Sequence, residues 1–273
     1  MTKMKRATAV AILLLAAACS KHATDKVATP LFSETLATEG KGGGGGESCT
    51  DPKNSANILD SLGIYHNLAL DYVDVQAPTG AKTIGNYVKY ANDYMTAAFG
   101  SRVADMASKL PSAAYVSALL ADSSTSYFTT IDNSSFTAAV KSKLKNFITM
   151  LKDTASLTDV DYCTVKSNIV TFENSVINDP RLSTTEKEQV LALTSVGRHS
   201  LYHWYQKYQG KLDGGETVTG KKRKWWQWLV IGIADVAGGI AGATAGAPTV
   251  VGIGAGAVAG AAGASSGAAA VVD

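Results

Sequence analysis

Glycine recurs at every fourth position in the C-terminal part of the chain. The pattern forms two rows on either side of Pro248, namely Gly238, Gly242 and Gly246, and then Gly252, Gly256 and Gly260. Residues four apart lie on one face of an α-helix, and a face made of glycine lets another helix backbone come close. Because proline disrupts a helix interior but can begin a helix, the pattern predicts a hairpin of two helices, 225–245 and 249–272.

Such a hairpin is poorly suited to water, because each glycine costs about 1 kcal/mol of helix stability relative to alanine. An apolar medium favours internal backbone hydrogen bonds and offsets this cost. A cationic and aromatic run leads into the first arm and suits a lipid interface. Its members are Lys221, Lys222, Arg223, Lys224, Trp225, Trp226 and Trp228. The sequence therefore predicts that the hairpin associates with a membrane.

Two features weigh against membrane insertion. Asp235 lies about two turns into the first arm, where an unpaired charge is costly in lipid. The second arm is rich in alanine and glycine, so its apolar driving force is weak. A loosely docked tail without a membrane role is therefore the alternative.

The hairpin resembles the glycine-zipper segments of some bacterial envelope lipoproteins and of membrane-active peptides such as certain bacteriocins. The resemblance covers only the tail, and it carries no catalytic motif. It implies membrane insertion or self-association through the tail.

The N-terminus has the layout of an export signal in residues 1–18. Three basic residues within the first six are followed by an apolar stretch and three alanines, and Cys19 comes directly after them. The stretch "ILLLAAACS" resembles a bacterial lipoprotein signal, although Ala16 stands where that family usually has leucine. The resemblance implies that Cys19 is acylated and that the protein is anchored in the bacterial cell envelope, on the periplasmic face or the cell surface. An ordinary secretion signal with a chance cysteine is the alternative.

Charge and cysteine content limit the remaining possibilities. The chain has 25 basic and 23 acidic residues, and three of the basic ones belong to the signal, so no basic surface for nucleic acid is indicated. In an oxidising compartment, Cys49 and Cys163 are candidates for a disulfide, and two free thiols are the alternative.

Between the signal and the hairpin, the sequence divides into three parts. Residues 19–51 are polar, end in a glycine run and form a flexible tether. Residues 52–210 carry apolar residues at helical spacing, which predicts an all-α fold, a helical bundle whose core closes within Pro52–Gln209. Residues 211–224 form a basic linker, and the hairpin occupies 225–273.

Several signals mark individual helices of the bundle. Ser183 and Glu186 form a capping box that begins a long helix. Other helices are predicted over Thr83–Phe99 and around Pro111, in Ser101–Leu120. The serine- and threonine-rich stretch Ser123–Ser135 could be a short extended segment or a loop, and its composition favours the loop.

The motifs that would indicate an enzyme are missing from the sequence. No GxSxG elbow is present, and the glycine run of the tether lacks the strand, helix start and lysine of a phosphate-binding loop. His199 and His203 are four apart, but they are predicted on a solvated face without a third ligand, so no metal site is expected. His66 lies on an apolar stripe, which favours a buried histidine with one hydrogen bond over a catalytic one.

Two hypotheses remain, and neither includes enzymatic activity or a cofactor. In the first, a lipoprotein anchored at Cys19 inserts its hairpin into a membrane or associates with it, and membrane perturbation is the expected output. In the second, the helical domain of a non-enzymatic binding or structural lipoprotein engages an unknown protein partner, and the tail only anchors or oligomerises.

Overall fold

A computed structural model describes much of the chain from Asp51 onwards. The described residues are 51–76, 83–99, 114, 125–156, 161–213, 226–245, 254, 256–258 and 260–265. Their regular secondary structure is helical throughout, with no strand among them, which confirms the prediction of an all-α fold. The signal, the tether, most of the helix predicted over Ser101–Leu120 and the basic linker from 214 onwards lie outside the described residues.

The helices follow one another in the order α1 (Ser61–Gln76), α2 (Ile84–Phe99), α3 (Thr125–Asn133), α4 (Ala138–Ser156), α5 (Tyr162–Ile177), α6 (Thr184–Asp213) and α7 (Trp226–Ala245). A further helical arm contains the described residues 254, 256–258 and 260–265, and we call it the C-terminal arm. Together, α7 and the C-terminal arm form the hairpin.

Helix α3 occupies the stretch that was predicted to be a loop, so that prediction is wrong. Its two apolar anchors, Tyr127 and Ile131, lie one turn apart and are buried, with exposed fractions of 3% and 0%. The helix packs against α4 and α7. Burial of one narrow apolar face therefore overrides a composition that favours turns.

The capping box at the start of α6 forms as predicted. The Glu186 backbone N–H donates to Ser183 Oγ at 3.3 Å, and the Ser183 N–H donates to Glu186 Oε2 at 2.9 Å. Thr137, just before α4, adds a tertiary contact by donating its hydroxyl proton to Glu186 Oε1 at 2.6 Å. The start of α6 is therefore fixed by its own capping box and by the hydrogen bond from Thr137.

Helix α6 lies at the centre of the bundle. It packs against α1, α4, α5 and α7, and every residue from Val190 to Leu201 is buried. Helix α2 packs on α1, and α7 also contacts α3 and α4. The central helix is therefore enclosed on all sides over about three turns.

The hairpin belongs to this core, which differs from the prediction that the core closes within Pro52–Gln209. Every residue from Ile231 to Ile240 in α7 is buried, as are all the described residues of the C-terminal arm. The structure thus supplies the apolar medium for the glycine-rich arms from the bundle itself. The sequence pattern of the arms could not show this, because apolar faces look alike whether they meet lipid or protein.

Cys163, in α5, is disulfide-bonded. The other cysteines of the chain, Cys19 and Cys49, lie outside the described residues, so the predicted pairing with Cys49 stays a prediction.

Candidate functional site: the docked glycine hairpin

The two arms of the hairpin meet through glycine and backbone atoms. A Cβ placed on Gly242 would overlap the carbonyl of Gly256, and a Cβ on Gly256 would overlap the carbonyl of Gly242. Gly238 and Gly260 stand in the same relation one turn away. These four residues therefore pack the helices as their spacing predicted, and the contact is made within the hairpin. The other two residues of the pattern, Gly246 and Gly252, lie outside the described residues.

Glycines also let the hairpin come close to the bundle. A Cβ on Gly197 in α6 would lie 2.7 Å from a methyl of Val236 in α7. A Cβ on Gly254 of the C-terminal arm would lie 2.9 Å from a methyl of Leu62 in α1. Each arm is thus seated directly against a helix of the bundle.

Two polar groups of the hairpin face the bundle, one on each arm. Asp235 in α7 is fully buried and accepts a hydrogen bond at Oδ2 from the Ser200 hydroxyl of α6. Ser265 of the C-terminal arm is also fully buried, and its Oγ accepts a hydrogen bond of 2.6 Å from Trp204 Nε1 of α6. Helix α6 therefore holds both arms by side-chain hydrogen bonds, one turn apart.

His66 in α1 completes the polar cluster around Asp235. Asn67 Nδ2 donates to the backbone carbonyl of His199 at 3.1 Å, which directs the Asn67 Oδ1 towards His66. His66 Nδ1 lies 3.0 Å from that oxygen and donates to it. The network assigns the ring proton of a neutral imidazole to Nδ1, so that Nε2 presents a lone pair to Asp235 Oδ2 at 3.5 Å.

Burial shifts both titratable groups towards their neutral forms. Desolvation raises the pKa of the Asp235 carboxyl well above its ordinary value, against the opposing effect of its hydrogen bonds with Ser200 and Ser265. Desolvation lowers the pKa of His66 to about 3, because the hydrogen bond to Asn67 only partly offsets it. Burial also raises the pKa of Tyr127 to about 12, with a smaller contribution from the nearby Asp235. The cluster therefore consists of a protonated acid and a neutral imidazole.

A second buried cluster joins α5, α6 and the segment before α1. Glu173 and Arg198 are fully buried, with Arg198 Nε 3.2 Å from Glu173 Oε2. Arg198 also pairs with Asp60, which lies just before α1. Glu173 further accepts hydrogen bonds from Asn54 Nδ2, Asn57 Nδ2 and Thr194 Oγ1. Both carboxylate oxygens are used in these contacts, so the cluster fastens the start of the bundle and offers no free base.

The prediction that His199 and His203 share a solvated face is wrong. His199 is 4% exposed, and its Nε2 lies 3.1 Å from Asp60 Oδ1. Burial lowers the pKa of His203, and the nearby Lys207 adds to that effect. The prediction failed because α6 is enclosed over Val190–Leu201, which includes His199, and His203 is half-buried just beyond this stretch. His66, in contrast, is buried with one hydrogen bond, as favoured from the sequence.

Other site residues predicted from the sequence lie largely outside the described part of the chain. These are Cys19, Cys49, Lys221, Lys222, Arg223, Lys224 and Trp225, whereas Trp226 and Trp228 lie in α7. Among the described residues, no group of histidine, cysteine, aspartate or glutamate side chains is arranged to hold a metal ion. Of the helices described, none combines the length and the mean hydropathy needed to cross a bilayer.

Several residues of the two clusters were not singled out from the sequence. Ser200, Trp204 and Arg198 lie within the long amphipathic pattern of α6, and Glu173 and Ser265 lie in α5 and the C-terminal arm. Their role depends on a second layer of helices, which no single-helix pattern reveals. The one available signal was Asp235 itself, because an acid within an apolar glycine-rich arm requires buried polar partners.

Comparison with known proteins gives no relative: no family model, no curated protein and no solved structure matches the chain.

Proposed function

We propose that this protein is a lipid-anchored protein of the bacterial envelope that stores its C-terminal hairpin inside a helical bundle and delivers it to a membrane. In this proposal, Cys19 carries the anchor, and the hairpin inserts into the membrane or associates with it and perturbs it. No catalytic step is involved.

The observation that carries the proposal is the division of contacts within the hairpin. The arms hold each other through Gly238, Gly242, Gly256 and Gly260, by backbone contacts that are internal to the pair. On the side of α7 that meets the bundle, Val236 is buried against Gly197, and Gly232 and Gly239 lie close to Leu201 and Leu193 of α6. A move from bundle to lipid would keep the contacts between the two arms. The side of α7 that meets the bundle would exchange one apolar environment for another.

The state of Asp235 supports the same proposal. A charged acid in a lipid-facing helix costs several kcal/mol, and this is the main objection to insertion. In the docked hairpin, the carboxyl is already desolvated and favoured in its protonated form. The hairpin would therefore carry a neutral acid into the membrane.

A covalent lock between hairpin and bundle tests this function. A Cβ on Gly197 would approach a Val236 methyl to 2.7 Å, so Gly197→Cys and Val236→Cys place two Cβ atoms within the roughly 4 Å that a disulfide spans. We expect the full chain to release dye from anionic vesicles, the oxidised double variant to release little, and reduction to restore release. Val236→Cys alone and the wild type, each with and without reductant, control for the added thiol and for the native disulfide.

Two results would count against the proposal. Absence of dye release by the wild type, across lipid compositions, would remove membrane perturbation. Equal release by the oxidised and reduced double variant would show that the hairpin acts without leaving the bundle.

The second candidate is a binding or structural lipoprotein in which the hairpin stays docked. The hydrogen bonds from Ser200 and Trp204 to the two arms favour it, because they fasten the hairpin at matched positions. Under this candidate, the locked and unlocked proteins would behave alike in every membrane assay.

A further inference from the structure

The polar cluster beneath the hairpin joins four elements of the fold in one chain of contacts. His66 belongs to α1, Ser200 and Trp204 to α6, Asp235 to α7 and Ser265 to the C-terminal arm. Two atoms in the middle of the chain, His66 Nε2 and Asp235 Oδ1, are buried without a hydrogen-bond partner among the described residues. The contact between α1 and the hairpin is therefore the least satisfied part of the cluster.

We propose that the burial of His66 against Asp235 makes delivery of the hairpin to lipid acid-dependent. This inference rests on the proposed function and adds to it a trigger. Its basis is a difference in where the two side chains go when the hairpin leaves. Asp235 travels with the hairpin, whereas His66 stays with α1 and becomes exposed to water.

The proton balance follows from that separation. In the docked state, Asp235 holds a proton and His66 holds only the Nδ1 proton of a neutral ring. In the delivered state, Asp235 remains protonated in an apolar medium, while the exposed His66 regains an ordinary pKa of about 6.5. Delivery therefore takes up one proton below pH 6.5, and the equilibrium shifts towards delivery by about tenfold for each pH unit.

In water without lipid, release of the hairpin gives a different net proton uptake for the same pair. Exposed Asp235 gives up its proton above a pKa of about 3.9, and exposed His66 takes one up below about 6.5. Between these values the two changes cancel, so within this range the pair does not drive opening in acid in the absence of a membrane. The trigger is thus specific to delivery into an apolar medium.

Other titratable groups surround the pair. From α6, His199 and His203 face His66 and disfavour its charge, and from α3, Tyr127 lies near Asp235. His203 is itself shifted towards its neutral form by burial and by Lys207, so it would add to the acid response if delivery exposed it. Asp71 and Asp74 act on His203 in the opposite direction. The test must therefore separate His66 from His203.

The decisive experiment measures binding of the full chain to vesicles of phosphatidylcholine and phosphatidylglycerol at pH 7.4 and pH 5.0. For the wild type, we expect binding about 30-fold tighter at pH 5.0, which is the proton uptake of one histidine over this interval. His66→Asn should reduce this change to threefold or less. The matched variant His203→Asn should keep a change of tenfold or more.

A measurement without lipid provides the second test. In Asp235→Asn, the compensating carboxyl is gone, so the unfolding equilibrium constant should rise about tenfold per pH unit below pH 6.5. Adding His66→Asn to that variant should flatten the profile. A flat profile in Asp235→Asn alone would overturn the assignment to His66.

The outcomes separate the trigger from the function. Vesicle binding by the wild type that is independent of pH, or a full acid response in His66→Asn, overturns the trigger and leaves the proposed function standing. Absence of vesicle binding at both pH values overturns both.

Discussion

Replacing Gly242 by alanine tests the interface between the arms of the hairpin. The added Cβ would overlap the carbonyl of Gly256, which is backbone and cannot move aside by changing rotamer. The arms would have to separate by roughly 1 Å, and a gap of that size forfeits about a quarter to a half of the dispersion energy of nearby contacts. Overpacking of this kind costs about 1–3 kcal/mol, against a gain of about 1 kcal/mol from the higher helix propensity of alanine. Because the obstacle is backbone, we expect a net loss of about 2 kcal/mol.

Gly239 offers a matched control on the same helix. A Cβ there would lie 3.1 Å from a methyl of Leu193 and 3.2 Å from the Ala257 carbonyl, contacts that small shifts relieve. The free energy of unfolding of Gly239→Ala should therefore lie within about 1 kcal/mol of the wild-type value. Urea unfolding of both variants, with unchanged m-values, measures the difference, and thermal unfolding should separate them by about 4–8 °C. A Gly242→Ala protein as stable as Gly239→Ala would refute the close approach of the two arms.

Three further predictions concern the bundle. Ser183→Ala removes one side of the capping box and should lower the free energy of unfolding by about 1 kcal/mol, measured by urea titration, with faster hydrogen exchange at the start of α6. Arg198→Met leaves Glu173 buried without its cation and should cost about 3–5 kcal/mol, whereas adding Glu173→Gln should recover part of that loss in the same titration. The free energy of unfolding should also fall as the pH rises from 6.5 to 8, by up to about 2 kcal/mol. The reason is that the unfolded chain then holds no proton on Asp235 or His66, while the folded protein keeps one on Asp235. Asp235→Asn should remove this fall, and an unchanged pH profile in that variant would contradict the pairing.

Features that depend on neighbours in sequence could be predicted from the sequence. The capping box needs only Ser183 and Glu186, three residues apart, and the glycine row needs only a spacing of four. In both cases, the position of the residues follows from the geometry of a single helix. The row even predicted which faces meet, since Gly242 and Gly256 contact each other once the chain reverses.

Features that depend on a second layer could not be predicted in this way. Helix α3 forms because Tyr127 and Ile131 find a buried surface on α4 and α7, although the surrounding residues favour turns. His199 of α6 is buried because helices cover a face that the pattern of that helix alone assigns to solvent. The hairpin pattern likewise specifies an apolar surrounding without specifying lipid or protein.

The environment of the hairpin's tryptophans reports whether the hairpin exchanges the bundle for lipid. The chain has four tryptophans, and Trp204→Phe leaves only Trp225, Trp226 and Trp228, at the start of the hairpin. In that variant, combined with the cysteines of the lock at 197 and 236, we expect brominated lipids to quench tryptophan emission strongly when the lock is reduced and weakly when it is oxidised. Equal quenching in the two states, or none in either, would show that the hairpin does not leave the bundle for lipid.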